Sequence, residues 1–130
     1  MPEGRHPYFT SALSWFGDLD EARAAAAERG KRILIAHGHK HCSGTRGLVE
    51  RTLAKEELTE FMDQHFLAVA SDSESPSPAV AALLASLPKR EPTPVCIYLS
   101  ASGRVLLSTA GGRPPAVLLN DMMQALSHDR

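Results

Sequence analysis

The sequence predicts an α/β protein of three layers, a mixed sheet of about four strands between two layers of helices. Three observations carry this. Two short apolar runs, Arg32–Ala36 and Phe66–Ala70, are unbroken, as strands buried on both faces are. A long stretch of helical spacing separates them, enough for the crossover that joins parallel strands. Two later runs, Pro94–Leu99 and Arg104–Ser108, are separated only by a turn around Ala101-Ser102-Gly103, so they pair as an antiparallel hairpin.

Taken in order, residues 1–17 read as an irregular segment. Pro2, Gly4, Pro7 and Gly17 break any period, while Tyr8, Phe9, Trp15 and Phe16 are available to pack on the body. A first helix is expected from Asp18 or Asp20 to Arg29. Early acids and an alanine run favour it, and Gly30 stops it. Its inner face would be Leu19, Ala22 and Ala26. The first strand, Arg32 to His37, follows. A loop carrying Cys42 then leads into a helix to about Leu53, with Leu48, Val49, Thr52 and Leu53 on one side. A further helix, Glu56 to His65, has Leu58, Phe61 and Met62 at helical spacing. After the second strand, Ser71 to Pro78 is polar and proline-broken, hence a loop. The helix from Ala79 to Leu87 presents Val80, Leu83, Leu84 and Leu87, and Pro88 ends it. After the hairpin and Gly111-Gly112, Pro114 and Pro115 suit the first turn of a final helix whose inner face is Leu118, Met122 and Leu126. Residues 18–130 form one domain.

Of the 130 residues, 43% are hydrophobic and 22% charged, as in ordinary folded domains. A net charge of -1 gives no general electrostatic reason to bind nucleic acid or an acidic membrane surface. No apolar run approaches the roughly 20 residues that span a bilayer. The N-terminal segment has no continuous apolar stretch of the signal-peptide kind, so a cytoplasmic location is expected. The two cysteines, Cys42 and Cys96, are too few for a disulfide framework or a cysteine-rich zinc site.

Cys42 stands where a strand hands over to a helix. Unpaired N–H groups and the positive end of the helix dipole both favour a thiolate there. Lys40 and His41 add positive charge, and the neighbours Gly38, Ser43 and Gly44 are a poor context for burial. Thr45, three residues on, shares the first turn; its hydroxyl either donates to the sulfur or serves as a plain first-turn residue. Cys96, between Val95 and Ile97, reads as inert core packing. His37, His39 and His41 alternate before Cys42 and would point one way on an extended chain. They are too crowded to hold one ion, so no metal is expected, and the three read as loop histidines that tune the thiol.

With that order of elements, the chain resembles the thioredoxin-like superfamily. Cys42 stands where the superfamily has its active-site cysteine. Thr93-Pro94 stands where it has a cis-proline facing that cysteine. Gly103 makes the turn of the closing hairpin, and Gly111-Gly112 precedes the last helix. The likeness covers residues 18 to 127. Glu28-Arg29-Gly30-Lys31, Cys42, Glu50-Arg51-Thr52-Leu53 and Phe61 look like a bacterial thioredoxin-related branch, with Asp72 matching its later acid at a displaced position. The UAS-type adaptor domains, which share the fold without thiol chemistry, are also similar. The departure is His41-Cys42-Ser43-Gly44-Thr45, a C-x-x-T in place of C-x-x-C.

The resemblance implies a monothiol redox protein. Cys42 would attack a disulfide, a sulfenic acid or a glutathione adduct on a protein or small-molecule substrate, with Thr45 beside it. His41, Ser43, Thr93 and Pro94 would meet the substrate. No cofactor is implied beyond glutathione or another external thiol as reductant. A monomer or weak dimer, with no nucleic-acid or membrane partner, is expected. The alternative is a non-catalytic module that binds an extended peptide between the Cys42 loop and Thr93-Pro94. An ordinary thiol pKa at Cys42 would favour that alternative.

Overall fold

A computed structural model describes Phe9 and residues 13–129. The readings of residues 1–8, among them Pro2, Gly4, Pro7 and Tyr8, and of residues 10–12 and 130 lie outside the described residues. Five strands form one mixed sheet: β1 (Trp15–Phe16), β2 (Arg32–Gly38), β3 (Phe66–Asp72), β4 (Val95–Leu99) and β5 (Val105–Ala110). Their spatial order is β1-β3-β2-β4-β5. β1 and β2 flank β3 in parallel, whereas β4 runs antiparallel to both β2 and β5. The helices are α1 (Leu19–Arg29), α2 (Ser43–Gly47), α3 (Glu56–His65), α4 (Pro78–Ala85) and α5 (Pro115–His128).

The period of the strands sorts their side chains into two cores. Ile33, Ile35, Leu67, Val69, Ile97 and Leu99 face α1 and α4. Leu34, Ala36, Ala68, Cys96 and Tyr98 face the layer of α2, α3 and α5, which supplies Leu48, Leu53, Leu58, Met62, Leu118 and Met122. Ala22 and Ala26 are fully buried, so α1 lies close on the sheet. Asp18 caps α1 by accepting from the Asp20 N–H at 2.9 Å, and Gly30 ends it at φ 67°.

The structure departs from the sequence reading in four places. Trp15–Phe16, inside the segment read as irregular, adds a fifth strand. Its two residues pair with Ala68 and Val69, and Trp15 also packs on Phe9 with ring centroids 5.1 Å apart. The helix after Cys42 does not run uniformly to Leu53. α2 ends at Gly47 and Leu48–Thr52 is a π-helical turn, which keeps Leu48, Val49 and Thr52 buried. The helix expected over 79–87 with Pro78 at its start is α4, Pro78–Ala85; Pro78 stands in its first turn with Ser77 as N-cap, as expected, but the helix stops two residues short of Leu87. His37 is not a solvated loop histidine beside the thiol. His37 is still within β2 and buried, its Nδ1 2.8 Å from Ser71 Oγ on the neighbouring strand.

Two expectations follow. Leu34, fully buried in the central strand, should cost about 3 kcal/mol when replaced by Ala. Val117→Ala, on the outer side of α5, should stay within about 0.5 kcal/mol. Urea unfolding of both variants checks this. For His37, burial lowers the pKa and the nearby Asp72 carboxylate opposes it only partly. The folded state therefore binds the proton less readily than the unfolded chain, so stability should fall as pH drops below about 6.5. His37→Gln should flatten that decline, measured as unfolding free energy between pH 5 and 8.

Candidate active site

β2 ends at Gly38, and residues 39–42 carry the chain over the sheet end to α2. Gly38 is required there: a Cβ on it would stand 2.2 Å from Thr45 Oγ1. The Thr45 side chain therefore lies directly over the strand end, 1% exposed. Cys42 is the N-cap residue of α2. Its N–H bonds to the His39 carbonyl at 3.1 Å, and its own carbonyl accepts from the Arg46 N–H at 2.9 Å. Antiparallel pairing sets β4 beside β2, His37 opposite Val95, so the chain just before β4 reaches the Cys42 loop. The Thr93–Pro94 peptide is cis, as is Glu91–Pro92. Gly44 fits against this loop so tightly that a Cβ on it would come 3.0 Å from both Pro94 Cδ and the Thr93 carbonyl oxygen.

Cys42 is half-buried and its sulfur is held from the β4 side. Thr93 Oγ1 donates to Sγ at 3.1 Å, and the thiol faces the Thr93 carbonyl at 3.5 Å. Burial pushes the thiol pKa up. The Thr93 hydroxyl first, then the Thr45 hydroxyl and the N–H groups of Thr45 and Gly44, stabilise the thiolate, outweigh burial and hold the value down, at about 7. Thr93 makes the firmer contact. Thr45 Oγ1 is buried without a hydrogen-bond partner, so its pull on the sulfur is the weaker of the two. A thiol with this value is about half thiolate at neutral pH.

Of the residues expected at the site, Cys42, Thr45, Thr93 and Pro94 come together. His41 and Ser43 are exposed at the rim. The His41 ring lies tilted beside that of His39, centroids 6.4 Å apart. His37 has turned away to Ser71, and among the described residues no three His, Cys, Asp or Glu side chains converge as a metal ion would need. Cys96 is fully buried, and burial pushes its thiol up to about 12. Both cysteines are free thiols.

Two features beyond the sequence reading complete the site. A cleft of about 750 Å³ opens beside Cys42 at Ser43 and Gly44, and runs between the π-helical turn and the chain entering α5. Its far wall is fixed by Arg113, whose guanidinium donates to both Asp121 oxygens at 2.8 and 3.0 Å. Thr52 Oγ1, donating to the Arg113 carbonyl at 2.7 Å, ties the two walls together. The sequence held one signal for this: Asp121 falls three residues after Leu118, on the inward face of α5, where a lone acid needs a cation. The cleft runs along the π-helical turn, which no residue pattern announced.

A model of thioredoxin-like proteins matches residues 14–101. Solved structures with the same fold include a thioredoxin from Thermus thermophilus, 19% identical, covering 88% of each chain at a TM-score of 0.71. The DsbH oxidoreductase is 20% identical, covering 95% of this chain and 90% of its own at a TM-score of 0.68. A putative disulphide-isomerase from Bacteroides thetaiotaomicron is 15% identical, covering 93% and 97% at a TM-score of 0.71. No curated protein matches the chain. With the family model spanning most of its length, and with a cysteine opening the helix after the central strand, the chain belongs to the thioredoxin-like family.

Proposed function

We propose that this protein carries out thiol–disulfide exchange through Cys42 alone. The observation that carries the reading is the partly buried Cys42 sulfur at the start of α2, with the Thr93 hydroxyl donating to it at 3.1 Å and its pKa held near 7. Thioredoxin and oxidoreductase structures of the same fold support a thiol redox role in general. In the first step the Cys42 thiolate attacks one sulfur of the substrate disulfide. A bond to Cys42 forms, the substrate S–S bond breaks, and the departing sulfur leaves as a thiolate that takes a proton from water. The hydroxyl of Thr45 occupies the place from which a second cysteine would resolve the intermediate, and oxygen cannot do so. An external thiolate, of glutathione or a similar molecule, then attacks the mixed disulfide at the substrate-side sulfur. Cys42 is released as the thiolate and the external thiol is left disulfide-bonded to that sulfur. Dependence on such thiols fits a reducing compartment.

Alkylation of Cys42 by iodoacetamide across pH 5 to 10 should follow a midpoint near 7. Thr93→Val removes the 3.1 Å donor to the sulfur, so the midpoint should rise. A rise of one unit would slow the reaction at pH 7 about fivefold. A wild-type midpoint at the ordinary ~8.5 would favour a peptide-binding module without thiol chemistry.

Exposure to oxidised glutathione, followed by peptide mapping, should place the adduct on Cys42 and none on Cys96. Cys42→Ser should abolish the adduct. A Cys42–Cys96 disulfide in the oxidised monomer would sink the monothiol reading.

A further inference from the structure

The cleft beside Cys42 carries an excess of positive charge that exchange itself does not use. Arg113 is held by both Asp121 oxygens, and Glu50 stands 3.9 Å from Arg46. Arg51 and Lys55 line the same cleft, and among the described residues neither side chain has a carboxylate partner. The Arg51 guanidinium lies against Gly47, where a Cβ would meet one of its nitrogens at 2.7 Å. The missing side chain at Gly47 thus leaves the cation its seat, three residues along α2 from Gly44, the glycine nearest the sulfur.

These contacts bound the distance from the sulfur to the charge. Cys42 Sγ is 3.8 Å from where a Cβ of Gly44 would stand. Positions three apart on a helix are neighbours, so sulfur and guanidinium lie within about 12 Å of each other. A new S–S bond takes up about 2 Å of that, and a hydrogen bond to the guanidinium about 3 Å. At most about 7 Å is left between the ligand's sulfur and its carboxylate, one to two residues of extended chain. The cleft's volume, about 750 Å³, falls in the roughly 300–1,000 Å³ range of small-molecule sites. We propose that Arg51 and Lys55 form a carboxylate subsite for a small acidic thiol, so that the cleft decides which half of a mixed disulfide Cys42 keeps. The Cys42 thiolate attacks the sulfur of the small half. A bond from Cys42 to that sulfur forms, the original S–S bond breaks, and the other half departs as a thiolate that takes a proton from water. A tripeptide thiol such as glutathione, with carboxylates at the ends on either side of its cysteine, has the required reach. The proposal rests on the exchange chemistry assigned to Cys42.

The test presents the protein with a mixed disulfide of glutathione and a neutral cysteine peptide, stops the reaction with acid, and reads by intact mass which half is bonded to Cys42. The same disulfide treated with 2-mercaptoethanol gives the ratio that the two sulfurs show on their own. At low salt the protein should keep the glutathionyl half about fivefold more often than that reference, the range of an exposed ion pair. Added salt should shrink the excess, and so should amidation of both glutathione carboxylates. Arg51→Lys should retain most of it, whereas Arg51→Gln/Lys55→Gln should remove it. Arg51→Glu/Lys55→Glu should turn the selection toward the peptide half when that peptide carries a lysine beside its cysteine, a gain that a misfolded variant could not show. A wild-type ratio equal to the 2-mercaptoethanol reference, or an excess that survives the double variants, would overturn the proposal while the exchange reading stands. Retention of the peptide half when an acidic peptide replaces the neutral one would assign the cleft to a polypeptide and also overturn it. Failure of Cys42 to take up either half, or to react with a plain alkyl pyridyl disulfide, would overturn both readings together.

Discussion

Gly44 lies so close to the Thr93–Pro94 loop that a Cβ on it would come 3.0 Å from Pro94 Cδ and from the Thr93 carbonyl oxygen. The site depends on that contact. Pairing of β4 against β2 delivers the loop to the start of α2, and the absence of a Cβ at Gly44 lets it close. Only then does the Thr93 hydroxyl stand 3.1 Å from the Cys42 sulfur. A bulkier residue at position 44 would hold the loop away, and the sulfur would lose its firmest donor while keeping its own backbone position. Gly38 plays the matching part on the other side, leaving room for Thr45 over the end of β2.

The two cysteines show how far surroundings govern one functional group. Cys96 lies in the middle of β4, fully enclosed, where a charge would have no solvation, and its thiol is pushed up to about 12. Cys42 also feels burial, but donors from three residues offset it and the thiol falls to about 7. The chain thus carries one cysteine suited to exchange and one suited to packing. The anchoring of the cleft walls extends the same logic. A buried carboxylate, Asp121, is tolerated because Arg113 satisfies both of its oxygens, and that pairing sets the chain before α5 opposite the π-helical turn.

Much of this was legible in the sequence because strands buried on both faces leave unbroken apolar runs. Arg32–Ala36 and Phe66–Ala70 announced the central pair, and the short turn at Gly103 announced the hairpin. Cys42 and Thr93-Pro94 were readable as parts of one site through the resemblance rather than through periodicity. β1 was not readable, since two residues carry no period; its place is decided by the free edge of β3. The π-helical turn was not readable either, because the apolar spacing of Leu48, Val49 and Thr52 fits an α-helix as well. His37 looked like its neighbours His39 and His41. Its difference comes from Ser71 on the adjacent strand, a partner 34 residues away.

In the proposed exchange one sulfur does the chemistry, and its release depends on a thiol from outside. Isolating the protein with Cys42 in a mixed disulfide, and following release of the attached group against added glutathione, tests this directly. The release rate should be proportional to thiol concentration and extrapolate to zero without it, with Cys96 remaining a free thiol throughout. Release at an undiminished rate without added thiol, leaving Cys42 joined to Cys96, would contradict it.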